Sequence, residues 1–94
     1  MKDLAAEDPI RPVLPLGIAR RGFAGCIERI AVSEGHPQLP AEEVERRLIE
    51  LGFVEGAMVQ VLHEGLFGRD PIAVRVNVAT VALRRREAMA ILAF

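Results

Sequence analysis

The hydrophobic pattern of this chain changes period once, and that change constrains the fold more than any other feature. Between Pro40 and Leu51 the residues Val44, Leu48 and Leu51 recur at i, i+4 and i+7. Ile49 lies beside that stripe, and Glu45 and Arg46 face away, the signature of one amphipathic helix. From Gly56 onward the period drops to two. Val59 and Val61 alternate within Met58 to Leu62, and Ile72, Val74 and Val76 alternate against Ala73 and Arg75, which predicts a hairpin with Gly65 and Gly68 marking its turn.

The helix is punctuated at both ends. Pro40 suits the first turn, Glu42 and Glu43 sit where the helix dipole favours acids, and Arg46 and Arg47 lie nearer the other end. Gly52 is positioned to leave the helix in the left-handed conformation, and Phe53 then falls where a C-terminal cap returns an apolar residue to the last turn. Ser33 to Ala41 (SEGHPQLPA) reads as a loop. Upstream, Leu16 to Arg20 has room for one helical turn. Gly25 to Val32 (GCIERIAV) reads as a strand whose apolar positions slip by one between Ile27 and Ile30, which predicts a bulge that bends it. Val81 and Leu83 extend the alternation, Ala82 to Ala88 (ALRRREA) holds one short helical turn, and Ile91 to Phe94 closes with a strand. The proline-rich residues 1–13 are expected to form a flexible tail, leaving 14–94 as a single domain. Five short strands with one interposed helix favour a small closed barrel, because closure removes edges that so short a sheet cannot otherwise protect. The expected fold class is therefore mainly β, with one main α-helix over the barrel and a short helical turn.

Composition narrows the function. Trp and Tyr are absent and Phe supplies all four aromatics while 51% of residues are hydrophobic, so the core is expected to be aliphatic, built of Ile, Leu, Val, Ala and Met. A net charge of −1 and a pI near 6.1 supply no global positive field, which argues against nucleic acid as a partner. The lone Cys26 has no partner for an internal disulfide, and no apolar run approaches a membrane span, so a cytoplasmic protein is expected. No phosphate-binding GxxxxGK[ST] occurs, and no nucleophile lies beside a base, so no enzymatic activity and no catalytic residue are expected. Cys26 reads as a packed or half-exposed thiol. His36, His63, Glu64 and Asp70 are weak candidates for a metal: none shows HxH or HxxxH spacing, so solvated surface groups are the plainer account. No resident cofactor is expected, although a transient Fe(II) contact with imidazole and carboxylate is compatible with these residues. The run Arg84-Arg85-Arg86 reads either as a solvated turn paired with Glu87 and nearby acids or as a docking patch for an acidic segment.

Taken in order, the LIELGFVEG stretch (Leu48 to Gly56), the strand Val59 to Leu62, GRDPIAVRV (Gly68 to Val76) and ALRRREAMAIL (Ala82 to Leu92) resemble the FeoA family, with LPLGIARRGFAGCIERI (Leu14 to Ile30) similar to its opening segment. The family comprises small cytosolic proteins of bacterial ferrous iron transport. The resemblance implies an SH3-like β-barrel and a non-catalytic binding module that associates with the cytoplasmic part of FeoB, the GTP-dependent ferrous iron permease, and modulates transport. Contact with a membrane would then come through that partner only, and weak homo-oligomerisation is compatible with an apolar cleft. Two departures stand out: the turn Asn77-Val78-Ala79 lacks the glycine of many relatives, and the loop before Asp70 is lengthened. In such a barrel the seam between helix and sheet offers the cleft, and the expected partner-binding residues are Leu48, Ile49, Phe53, Val54, Arg84 and Arg85. Leu48 and Ile49 cannot both face the core.

Two other readings belong beside this one. The same barrel serves as a regulatory domain of iron-dependent repressors, although no winged-helix portion is present here. An RNA-associated SH3-like barrel is disfavoured by the near-neutral charge and the scattered Phe23, Phe53, Phe67 and Phe94.

Overall fold

Alternation along the second half of the chain produces one antiparallel sheet that curls on itself. The computed structural model of the chain describes residues 12–32 and 40–94. In chain order it runs β1 (Leu14–Pro15), a 3₁₀ turn (Leu16–Ile18), β2 (Ala24–Ile30), α1 (Ala41–Glu50), β3 (Met58–Phe67), β4 (Asp70–Val76), β5 (Ala79–Leu83), α2 (Arg85–Ala88) and β6 (Ile91–Ala93). The six strands lie in the order β1-β6-β2-β3-β4-β5, so the first and last strands of the chain are neighbours. Most of the expected tail and of the loop before α1, including His36, falls outside the described residues.

The inward positions are those the alternation selects. Val59 and Val61 of β3, Ile72, Val74 and Val76 of β4, and Leu83 of β5 are buried with Ile27, Ile91 and Leu16. Phe53 is the only phenylalanine in this core; the rest is aliphatic or alanine. The slip predicted in the second strand is present: the β2–β6 register shifts between Ile27 and Arg29, turning β2 from β3 toward β6.

The hairpin differs from the expectation. Gly65 does not mark the turn; β3 continues through it to Phe67, which pairs with Asp70, and the turn is Gly68-Arg69, both at positive φ (71° and 61°). Gly65 instead sits at a register shift where a Cβ would run into the carbonyl of Asp70, so its missing side chain serves close backbone approach. At the β4–β5 turn, Asn77 takes φ 54° where a glycine was missed, and its N–H donates to the Met58 carbonyl at 2.9 Å.

Strands β1 and β5 remain as sheet edges, and the one-turn elements that follow them bring those edges together. Gly17 in the 3₁₀ turn packs against the Arg85 carbonyl and the Met89 side chain at the end of α2, so closely that a Cβ would collide with both. The result is a small barrel with α1 attached through its C-terminal end.

Candidate functional site

The C-terminus of α1 is built as the sequence predicts. Gly52, at φ 108°, donates its N–H to the Ile49 carbonyl at 3.0 Å, and Phe53 donates to the Leu48 carbonyl at 2.9 Å. This paired arrangement satisfies two of the carbonyls that a helix end leaves open. It also turns Phe53 inward beside Leu48, and both are fully buried. Leu51 is half-buried against the same core.

That geometry corrects two of the expected partner contacts. Leu48 and Phe53 are core residues, because the cap folds one back over the other and neither reaches the surface. Their sequence neighbours point outward instead: Ile49 is 45% and Val54 42% exposed. Beyond the cap, Met58 at the start of β3 and Val78 in the β4–β5 turn are also exposed, and Asn77 ties the two together through its side-chain oxygen, which accepts the Met58 N–H at 3.3 Å. The face of α1 toward α2 forms a shallow groove lined by Pro40, Val44, Arg47 and Glu87, spanned by an Arg47–Glu87 ion pair.

Arg85 is likewise not a free docking group. Its Nη1 donates to the carbonyls of Gly17 (3.0 Å) and Ala19 (2.7 Å), its Nε to the Arg69 carbonyl (2.7 Å), and its Nη2 to Glu64 Oε2 (2.7 Å). Its backbone N–H donates to Asp70 Oδ1 at 2.9 Å. The fork of the guanidinium thus joins the 3₁₀ turn, the β3–β4 hairpin and α2, which a lysine's single ammonium could not do. Arg84 remains exposed. Glu87 forms no ion pair with a guanidinium of the arginine run; its carboxylate accepts the Arg84 backbone N–H and pairs with Arg47.

The same contacts separate the metal candidates. Glu64 and Asp70 both turn toward Arg85, while His63, the neighbour of Glu64 on the strand, is exposed. Among the described residues no group of three or more His, Cys, Asp or Glu is placed to hold a metal. Cys26 is half-buried in the β2 segment that exchanges backbone hydrogen bonds with Phe94. No described helix is long and apolar enough to cross a membrane.

Sequence reasoning missed the tip of the β3–β4 hairpin, where Leu66 and Phe67 are 93% and 88% exposed. The available signal was the adjacent Leu66-Phe67-Gly68: two large apolar residues directly before a turn cannot both point into one core.

Comparison with known proteins bears on this surface. No curated protein matches the chain. Among solved structures, the solution structure of FeoA from Chlorobium tepidum is 32% identical over 86% of this chain and 70% of that one, with a TM-score of 0.67. The crystal structure of Stenotrophomonas maltophilia FeoA with zinc, described as a prokaryotic SH3-domain protein and a candidate activating factor of bacterial ferrous iron transport, is 29% identical over 84% and 87% of the two chains, with a TM-score of 0.68. A manganese-dependent transcriptional repressor complexed with manganese aligns at 28% identity and a TM-score of 0.70, covering 92% of this chain but 38% of the repressor. The likeness to the Stenotrophomonas protein identifies the barrel as SH3-like. The FeoA domain model matches residues 14–93, nearly the whole described barrel with its helix, and the chain belongs to the FeoA family.

Proposed function

We propose that this chain is a non-catalytic, cytoplasmic accessory protein of bacterial ferrous iron uptake that binds the cytoplasmic part of a FeoB-type permease and modulates transport. Family membership supports the transport role, and the description of the Stenotrophomonas relative as a candidate activating factor points the same way. The observation that carries the binding mode is the helix cap. Buried Leu48 and Phe53 hold the cap rigidly, so exposed Ile49 and Val54 are presented by a preorganised surface that loses little freedom on docking. Arg84 is exposed for an acidic segment of the partner.

A binding titration with the permease's cytoplasmic portion tests this. The paired substitution Ile49→Asp and Val54→Asp is expected to weaken binding about tenfold or more, since it places charge in an apolar contact without touching the core. Circular dichroism checks that the variant is folded. A folded variant that binds as wild type does refutes the surface, and a wild-type chain that does not bind refutes the partner. The repressor likeness supports a second reading, a regulatory barrel; binding to the DNA-binding part of such a repressor, without binding to the permease, would favour it.

A further inference from the structure

From the hairpin tip and its surroundings we infer that this chain also binds anionic lipid bilayers directly, inserting Leu66 and Phe67 while arginines around the tip engage lipid phosphates. The clamp at Arg85 assembles this surface. By binding Gly17, Ala19, Glu64 and Arg69 at once, it fixes the tip beside the 3₁₀ turn and α2. Arg20 and Arg21 directly follow Ala19, Arg69 forms half of the hairpin turn, and Arg84 and Arg86 flank Arg85. All five are exposed, and none forms an ion pair with another described residue. Of the acids in the same segments, Glu64 pairs with the Arg85 guanidinium and Glu87 with Arg47, while Asp70 accepts the Arg85 N–H and keeps its charge, so the arginines remain in excess. A chain of net charge −1 thus carries a locally positive face, and over a Debye length of about 8–10 Å that local field is what an approaching surface meets.

The apolar part decides between lipid and protein. Leu66 and Phe67 are almost bare, and Ile18 in the adjoining 3₁₀ turn is 59% exposed. A hairpin tip is convex and its consecutive side chains diverge, so a protein surface would cover one and leave the other wet, whereas acyl chains surround a tip on every side. Arginine's long stem lets the charge stay at headgroup level while the tip is buried.

Vesicle sedimentation with the purified chain, without any permease, tests this. Vesicles of phosphatidylcholine with about 30 mol% phosphatidylglycerol are expected to retain the protein, and pure phosphatidylcholine to retain at least about fivefold less. The double substitution Leu66→Ser and Phe67→Ser, at exposed positions, is expected to lower binding about tenfold, and raising salt to about 1 M is expected to release most of the wild type. Because the chain has no tryptophan, Phe67→Trp reports insertion as a blue shift of emission on adding anionic vesicles. A wild type that stays in the supernatant, a double variant that binds undiminished, or an unshifted Phe67→Trp spectrum overturns the proposal. So does tip-dependent dimerisation by light scattering without vesicle binding, which would make the occupant a second copy of the chain.

Discussion

Arg85 holds together three segments that are far apart in sequence, and its neighbours Arg84 and Arg86 hold nothing comparable. With side-chain exposures of 18% and 19%, the Arg85–Glu64 pair is largely shielded from water, and three backbone carbonyls accept from the same guanidinium. Replacing it by Met leaves those acceptors and one carboxylate unsatisfied, so Arg85→Met is expected to lower the unfolding free energy in urea by about 2–4 kcal/mol. Arg85→Lys should restore less than half of that, because one ammonium cannot span the fork. Arg84→Ala and Arg86→Ala should each stay within about 0.5 kcal/mol of wild type. In the sequence the three arginines are indistinguishable. Only the docking of a one-turn helix against the 3₁₀ turn selects the middle one.

At the scale of the element, α1 and the β3–β4 hairpin illustrate two uses of glycine. Gly52 was legible, since a helical stripe followed by Gly and an apolar residue has few other meanings. A Cβ there would meet the Val76 methyls at 3.7 Å, an ordinary contact, so Gly52→Ala should cost only the conformational strain of φ 108°, about 1 kcal/mol by thermal or urea unfolding. Gly65 was not legible as a close-approach position, because a glycine before a turn and one inside a bulge look alike in sequence. A Cβ at Gly65 meets backbone rather than a movable side chain, so Gly65→Ala should cost more than Gly52→Ala, about 2–3 kcal/mol. Equal costs, or the reverse order, would contradict this assignment of roles.

On the scale of the whole molecule, residues 91–94 carry the connectivity of the sheet. Strand β6 stands between β1 and β2 and contributes the buried Ile91 and Ala93, while Phe94 exchanges backbone hydrogen bonds with Cys26. Deleting residues 91–94 is therefore expected to abolish the cooperative unfolding transition, whereas an edge strand of similar length would be dispensable. Hydrogen exchange offers a second check. The amides of Val61 and Val74, in neighbouring strands with their side chains fully buried, should exchange slowest, and those of Leu66 and Gly68 at the bare tip fastest.

The order of α1 and of strands β2 to β6, the helix cap, the bulge of β2 and the aliphatic core were determined by the sequence alone, because each rests on local periodicity or on a residue with few conformational options; the two-residue β1 was not, being too short to carry a period. Ile49 and Val54 could be named as surface candidates but not separated from Leu48 and Phe53, since the angle at which a capped helix meets a sheet is not a local quantity. The tertiary structure decided that separation, removed Arg85 from the docking surface, and left Leu66 and Phe67 bare at a hairpin tip that Arg85 ties to the 3₁₀ turn. Each of these depends on which backbone carbonyls and carboxylates lie within reach once the sheet has closed, and closure is fixed by contacts of β1 with β6 and of the 3₁₀ turn with α2, which are far apart in sequence.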